Sequence, residues 1–149
     1  MKLLFETPIN LPFEKVRDGF TRELFIYLSP PFISFTLKRF DGCQKGHEVH
    51  LELRPLPFWG QQWISVMTFE ETNELGWSFM DEGRVLPWPL SLWRHHHRVD
   101  RVGPNQCKIV DDISFDCKPA FLAWIFWPLL WFVFSIRPRR YKKYFQGKT

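Results

Sequence analysis

Between Phe32 and Asp116 apolar and polar residues alternate with a period of two for most of the length, the spacing of strands that bury one face and wet the other. The clearest run is His47 to Arg54, where Val49, Leu51 and Leu53 alternate with Glu48, His50 and Glu52. Strands are predicted over Ile33 to Phe40, His47 to Arg54, Gln62 to Glu70, Trp77 to Asp81, Trp93 to Arg101 and Cys107 to Asp116. Turn-forming stretches separate them: Asp41 to Gly46, Pro55 to Gly60, Glu71 to Gly76, the irregular Gly83 to Leu90, and Gly103-Pro104-Asn105. Ahead of this block, Lys2 to Ile9 reads as a partly buried strand with Pro8 at its edge or end. Two short helices follow it. Proline is tolerated in a first turn, as at Pro12, and Phe13, Val16 and Phe20 repeat at helical spacing. A second helical piece covers Thr21 to Leu28 and stops at Ser29-Pro30-Pro31, because the residue before a proline is pushed out of the helical region.

After Pro119 the pattern changes again. Ala120 to Ile136 is seventeen residues without a charge, and the long C-terminal helix is predicted within about 119–145. A membrane-spanning helix needs roughly 20 apolar residues, and Pro128 should kink this one or divide it. Two readings stand. A helix clasped by a curved sheet buries most of its circumference and need not look amphipathic. Alternatively Trp124, Trp127 and Trp131, followed by the basic run Arg137 to Lys143, suit peripheral contact with an anionic membrane surface.

At 149 residues the chain is predicted to form one domain, 1–149, with a single core. The 16 Phe and 8 Trp make it dense in aromatics, yet 24% of residues are charged, which excludes a disordered chain and a polytopic membrane protein. Cys43, Cys107 and Cys117 are odd in number and lack metal-ligand spacing, and no charged-then-apolar leader opens the chain, so a reducing, cytoplasmic setting is expected. The net charge of +4 comes from the C-terminal Arg137, Arg139, Arg140, Lys142, Lys143 and Lys148. That run is basic enough for phosphates, but no nucleic-acid-binding motif accompanies it and no nucleic-acid partner is expected; a solvated helix end is the simpler reading.

The chemistry lies between Trp77 and Phe115. Period-two placement puts Phe79 with Asp81 on one face, Trp93 with His95, His97 and Val99, and Ile109 with Asp111, Ile113 and Phe115. His96 points the other way, beside Arg94 and Arg98, onto a solvated face. Two histidines and two aspartates among aromatic residues form either a hydrogen-bonded brace or a ligand-orienting site; a His–carboxylate pair for proton transfer is a third possibility. Two His and two Asp can bind zinc, but spacing alone does not show that the four converge, no Cys or third helix-spaced ligand supports it, and no metal or other cofactor is expected. No nucleophile elbow, phosphate-cradling glycine loop or dinucleotide fingerprint is present, so the sequence leans away from an enzyme.

The order strand, two short helices, six antiparallel strands, long C-terminal helix resembles the helix-grip fold of the START-like, or SRPBCC, superfamily. The sharpest likeness is to an uncharacterised, cell-division-inhibitor-like branch, carried by Phe79-Met80-Asp81, Leu86-Pro87-Trp88, Trp93-Arg94-His95-His96-His97-Arg98-Val99, Asp111-Asp112-Ile113-Ser114-Phe115, Pro119 and Phe134-Ser135-Ile136-Arg137. Val99 stands where that branch has an aromatic and Phe115 where it has a tyrosine, and the last helix is more apolar. The resemblance implies an α+β fold: a curved antiparallel sheet of about seven strands around the C-terminal helix, with two short helices between strands 1 and 2. It also implies a hydrophobic cavity between sheet and helix for a lipid, isoprenoid or polyketide-like ligand. The expected lining is Trp63, Met67, Phe69, Trp77, Phe79, Trp93, Phe121 and Trp124, with Asp81, His95, His97 and Asp111 orienting a polar head. A cyclase or aromatase-type enzyme and a membrane-associated protein are the alternatives.

Overall fold

In the computed structural model, residues 1–56 and 59–147 are described, apart from the side chains of Pro55 and Leu56. Pro57 and Phe58 of the expected break, and Lys148 of the basic run, lie outside them. Eleven elements follow in the order β1 (Lys2–Ile9), α1 (Phe13–Asp18), α2 (Arg22–Leu28), β2 (Phe35–Phe40), β3 (Glu48–Leu56), β4 (Trp59–Asn73), β5 (Gly76–Val85), β6 (Leu90–Gly103), β7 (Gln106–Cys117), α3 (Leu122–Ser135) and α4 (Arg137–Gln146). The seven strands form one antiparallel sheet in the order β1-β7-β6-β5-β4-β3-β2, the expected α+β helix-grip arrangement. The first strand therefore crosses to pair with the last, Leu3 opposite Ile113 and Ile9 opposite Cys107.

Apolar side chains gather on the concave face in two clusters. One holds α1, α2 and α4 on the sheet centre through Phe13, Val16, Leu24, Trp77, Phe79, Ile109, Tyr141 and Phe145. The other packs α3 on the β1–β7–β6 side through Leu3, Trp93, Ile113, Phe115, Val133 and Phe134. The C-terminal helix is thus built in two parts with different attachments. Its division falls at Ile136 and not at Pro128. Pro128 sits on the exposed side of α3, where water can reach the carbonyl that loses its donor, whereas Pro138 occupies the first turn of α4, a position that tolerates proline.

The strands run longer than their periodicity predicts, and β4 carries the reason. Met67 pairs with Asp81 while Phe69 pairs with Met80, so Thr68 is an extra residue, a β-bulge that reverses the parity of the strand. Beyond it Glu70, opposite Phe79, comes close enough to the concave face to accept a hydrogen bond from Trp77 Nε1 at 3.1 Å. Gly76 closes the β4–β5 turn with φ +147°, and a Cβ there would lie 2.1 Å from the carbonyl oxygen of Val99.

Candidate functional site

The sheet register brings the predicted polar residues together. His95 lies opposite Asp81 on β5, and His97 lies opposite Asp111 on β7. Asp111, only 1% exposed, is the focus: its Oδ1 accepts from His95 Nε2 at 2.9 Å and from the Tyr141 hydroxyl at 3.4 Å. His97 Nδ1 stands 3.3 Å and Arg137 Nη1 3.9 Å from the same oxygen. The His95 and His97 rings are 3.6 Å apart between centroids, and His97 stacks on Phe79 at 4.4 Å. Arg137 lies over the Phe134 ring at 4.2 Å. The group occupies the seam where α3 passes into α4, between the two apolar clusters.

Burial alone would raise the Asp111 carboxyl, but the hydrogen bond from His95 and the adjacent His97 imidazole outweigh it and hold it below the usual carboxylate range. Burial, reinforced by the adjacent His97, pushes His95 down to about 3, so that ring is neutral and donates its Nε2 hydrogen to the carboxylate. Burial raises Asp81, offset in part by Ser65. Burial and the nearby Asp111 charge likewise raise Tyr141 well above its ordinary value. His95 and Tyr141 satisfy Asp111, but the group is not closed: Asp81 Oδ1, Trp93 Nε1 and His97 Nδ1 are buried without a hydrogen-bond partner, the last although it stands 3.3 Å from Asp111 Oδ1.

Of the expected apolar lining, Met67, Trp77, Phe79 and Trp93 are buried on the concave face. Trp63 is half-buried, meets Trp93 edge to face at 4.8 Å and donates to Ser65 Oγ at 3.0 Å. Three residues lie elsewhere. The bulge at Thr68 turns Phe69 to the convex face, beside the half-buried ring of His96. Phe121 and Trp124 are 62% and 74% exposed, because the side of α3 that meets the sheet carries Ala123, Phe126, Leu130, Val133 and Phe134. A surface depression of about 330 Å³ lies over β2, β3 and β4 and touches none of the predicted residues; another, of about 130 Å³, has Trp77 as its one predicted residue.

Tyr141 and Arg137 belong to the polar group around Asp111, although the sequence pattern puts them in a solvated basic run. The signal was present: Phe134, Arg137, Tyr141 and Phe145 recur at three- and four-residue spacing, so one helical face carries rings among cations.

The outer side of α3 is a second feature. Phe121, Trp124, Ile125, Leu129, Trp131 and Phe132 are exposed, and Phe32 packs on Phe132 at 5.5 Å. Arg139, Lys142 and Lys143 follow on the exposed side of α4. Among the described residues no helix is long and apolar enough to cross a membrane.

No family model and no curated protein matches the chain. Solved structures do. Norcoclaurine synthase from Thalictrum flavum, in complex with dopamine and hydroxybenzaldehyde, superposes with a TM-score of 0.70 at 13% identity, over 100% of this chain and 88% of that one. A protein from Thermobifida fusca solved by NMR gives 0.67 at 16% identity over 97% and 92%. An aromatase/cyclase from Streptomyces gives 0.56 at 10% over 78% and 68%. At these identities the likeness is one of fold.

Proposed function

We propose that this chain, which carries the helix-grip fold of the START-like superfamily, binds a small hydrophobic or amphipathic ligand between its sheet and α3, with the polar end of the ligand directed at Asp81, His95, His97 and Asp111. The observation that carries the reading is the set of unpartnered buried atoms, Asp81 Oδ1, His97 Nδ1 and Trp93 Nε1, on a concave face otherwise walled by Phe79, Trp93 and Phe134. Buried polar atoms without partners are costly, and a ligand's polar group would supply the missing hydrogen bonds. Tyr141 and Phe145 fill the centre of the concave face, so the reading puts the ligand on the α3 side, where the helix buries Ala123, Val133 and Phe134 and would have to shift to admit it. Native mass spectrometry of protein purified from its own host tests this. A bound lipid, isoprenoid or polyketide-like mass that is lost in Trp93→Ala is the expected result; a mass equal to the bare chain, with no uptake of such compounds on addition, overturns it.

A second reading is favoured by the exposed aromatic side of α3: peripheral contact with an anionic membrane, the apolar rings entering the interface and Arg139, Lys142 and Lys143 meeting lipid phosphates. Flotation with anionic vesicles at low salt, reduced at high salt and reduced by Trp124→Glu, is expected; a chain that stays with the unbound fraction at both salt concentrations excludes it.

A further inference from the structure

Asp81, His95 and His97 each offer a ligating atom, and these atoms lie within 4.8 Å of one another at the buried seam. Around a tetrahedral zinc ion, ligand atoms at about 2.1 Å from the metal stand roughly 3.4 Å apart, a contraction that side-chain rotation can supply. Three further observations point to a cation. First, Asp81 Oδ1 and His97 Nδ1 are buried with no hydrogen-bond partner, and a carboxyl oxygen and an imidazole nitrogen so placed are ready ligands. Secondly, Asp111 takes the hydrogen on His95 Nε2 at 2.9 Å, which leaves the lone pair on the other ring nitrogen; a carboxylate behind a histidine is the usual companion of a metal-bound imidazole. Thirdly, Asp111 is itself fixed, by the Tyr141 hydroxyl at 3.4 Å and by Arg137 at 3.9 Å, so the histidine it orients is held before any ion arrives. The surroundings are apolar, with Phe79 stacked on His97 and Phe134 edge-on to His95 at 5.4 Å, which limits competition from water.

We infer that Asp81, His95 and His97 bind a divalent first-row transition cation, with Asp111 orienting His95 from behind. Two imidazoles and one carboxylate suit zinc or ferrous iron, and three protein ligands leave a coordination position open to water or to an oxygen of a bound molecule. The site uses the same side chains as the ligand reading but does not rest on it, since the ion needs no organic ligand.

The test is calorimetric titration of the metal-stripped full chain with Zn²⁺ alone, and visible absorption with Co²⁺ as a second probe. One equivalent is expected to bind, with intense low-coordinate Co²⁺ bands. Asp81→Asn should weaken binding at least tenfold and Asp111→Asn by about 10–100-fold, while His50→Gln, on the convex face, should change nothing. Variants that misfold are bypassed by the wild type itself: the imidazole nitrogen resonances of His95 and His97 should move together on Zn²⁺ addition, and those of His47, His50 and His96 should not. Binding undiminished by Asp81→Asn, or movement confined to the other histidines, would overturn the site. No uptake at millimolar Zn²⁺ would also overturn it. The titration contains no organic ligand and the mass measurement no added metal, so each proposal can fail without the other.

Discussion

Asp111 makes one oxygen serve His95 and Tyr141, with His97 and Arg137 close by, in a place water does not reach. Removing the charge strands Arg137 and loosens both histidines, so Asp111→Asn should cost about 3–5 kcal/mol, the loss typical of breaking a buried charged network, read as a lower urea midpoint with an unchanged slope. The pH dependence follows from the same residues. His95 titrates near 6.5 when unfolded and at about 3 when folded, so the unfolded state binds more protons across that window and stability falls as pH drops from about 6.5 towards 3. Asp111, depressed, adds to the loss below the ordinary carboxylate range, while Asp81, raised, acts with the opposite sign and loses its contribution as pH rises. Unfolding free energy measured from pH 7 to 3 should therefore fall steeply in the wild type and more gently in His95→Gln; parallel curves would show that another group carries the acid sensitivity.

At the scale of elements, period-two spacing placed Asp81, His95, His97 and Asp111 on one face before any coordinates, because strand parity is a local property. It could not place Phe69, since the bulge at Thr68 is decided by how β4 fits β5, and no residue in that stretch announces it. Nor does it show which side of α3 meets the sheet: a helix apolar all round has no polar face to mark its orientation, and Phe121 and Trp124, expected in the lining, lie outward. Tyr141 is hidden in the sequence for the converse reason, the cations on either side of it outweighing the ring spacing. The turn glycine, by contrast, is local again. At Gly76 any side chain meets both a positive φ and the Val99 carbonyl, so Gly76→Ala should destabilise by more than about 1 kcal/mol, whereas Gly46→Ala, with φ +89° and nothing near its Cβ, should cost less. Equal losses for the two in chemical denaturation would mean that the contact with Val99 contributes nothing.

For the whole molecule, the division at Ile136 separates a firmly held part from a loosely held one. Tyr141 and Phe145 are fully enclosed among α1, α2 and the sheet centre, and Arg140 donates to the Ser29 carbonyl, so α4 cannot leave without opening the main core. By comparison α3 is fastened by Ala123, Val133 and Phe134 with Phe126 and Leu130 half-buried, and by the Trp127 indole donating to the Lys2 carbonyl at 3.1 Å. Local opening free energies follow buried contact, so α3 should detach without global unfolding. That is also the motion a ligand needs to reach Asp81 and Trp93, and it would let the exposed rings of α3 spread onto a lipid surface. Hydrogen exchange followed by mass spectrometry should thus show amides of 122–135 exchanging well ahead of those of 137–146, with α3 gaining protection when anionic vesicles are present. If both helices exchange together at the global rate, α3 opens only with the whole fold, and a ligand must reach the polar group by another route.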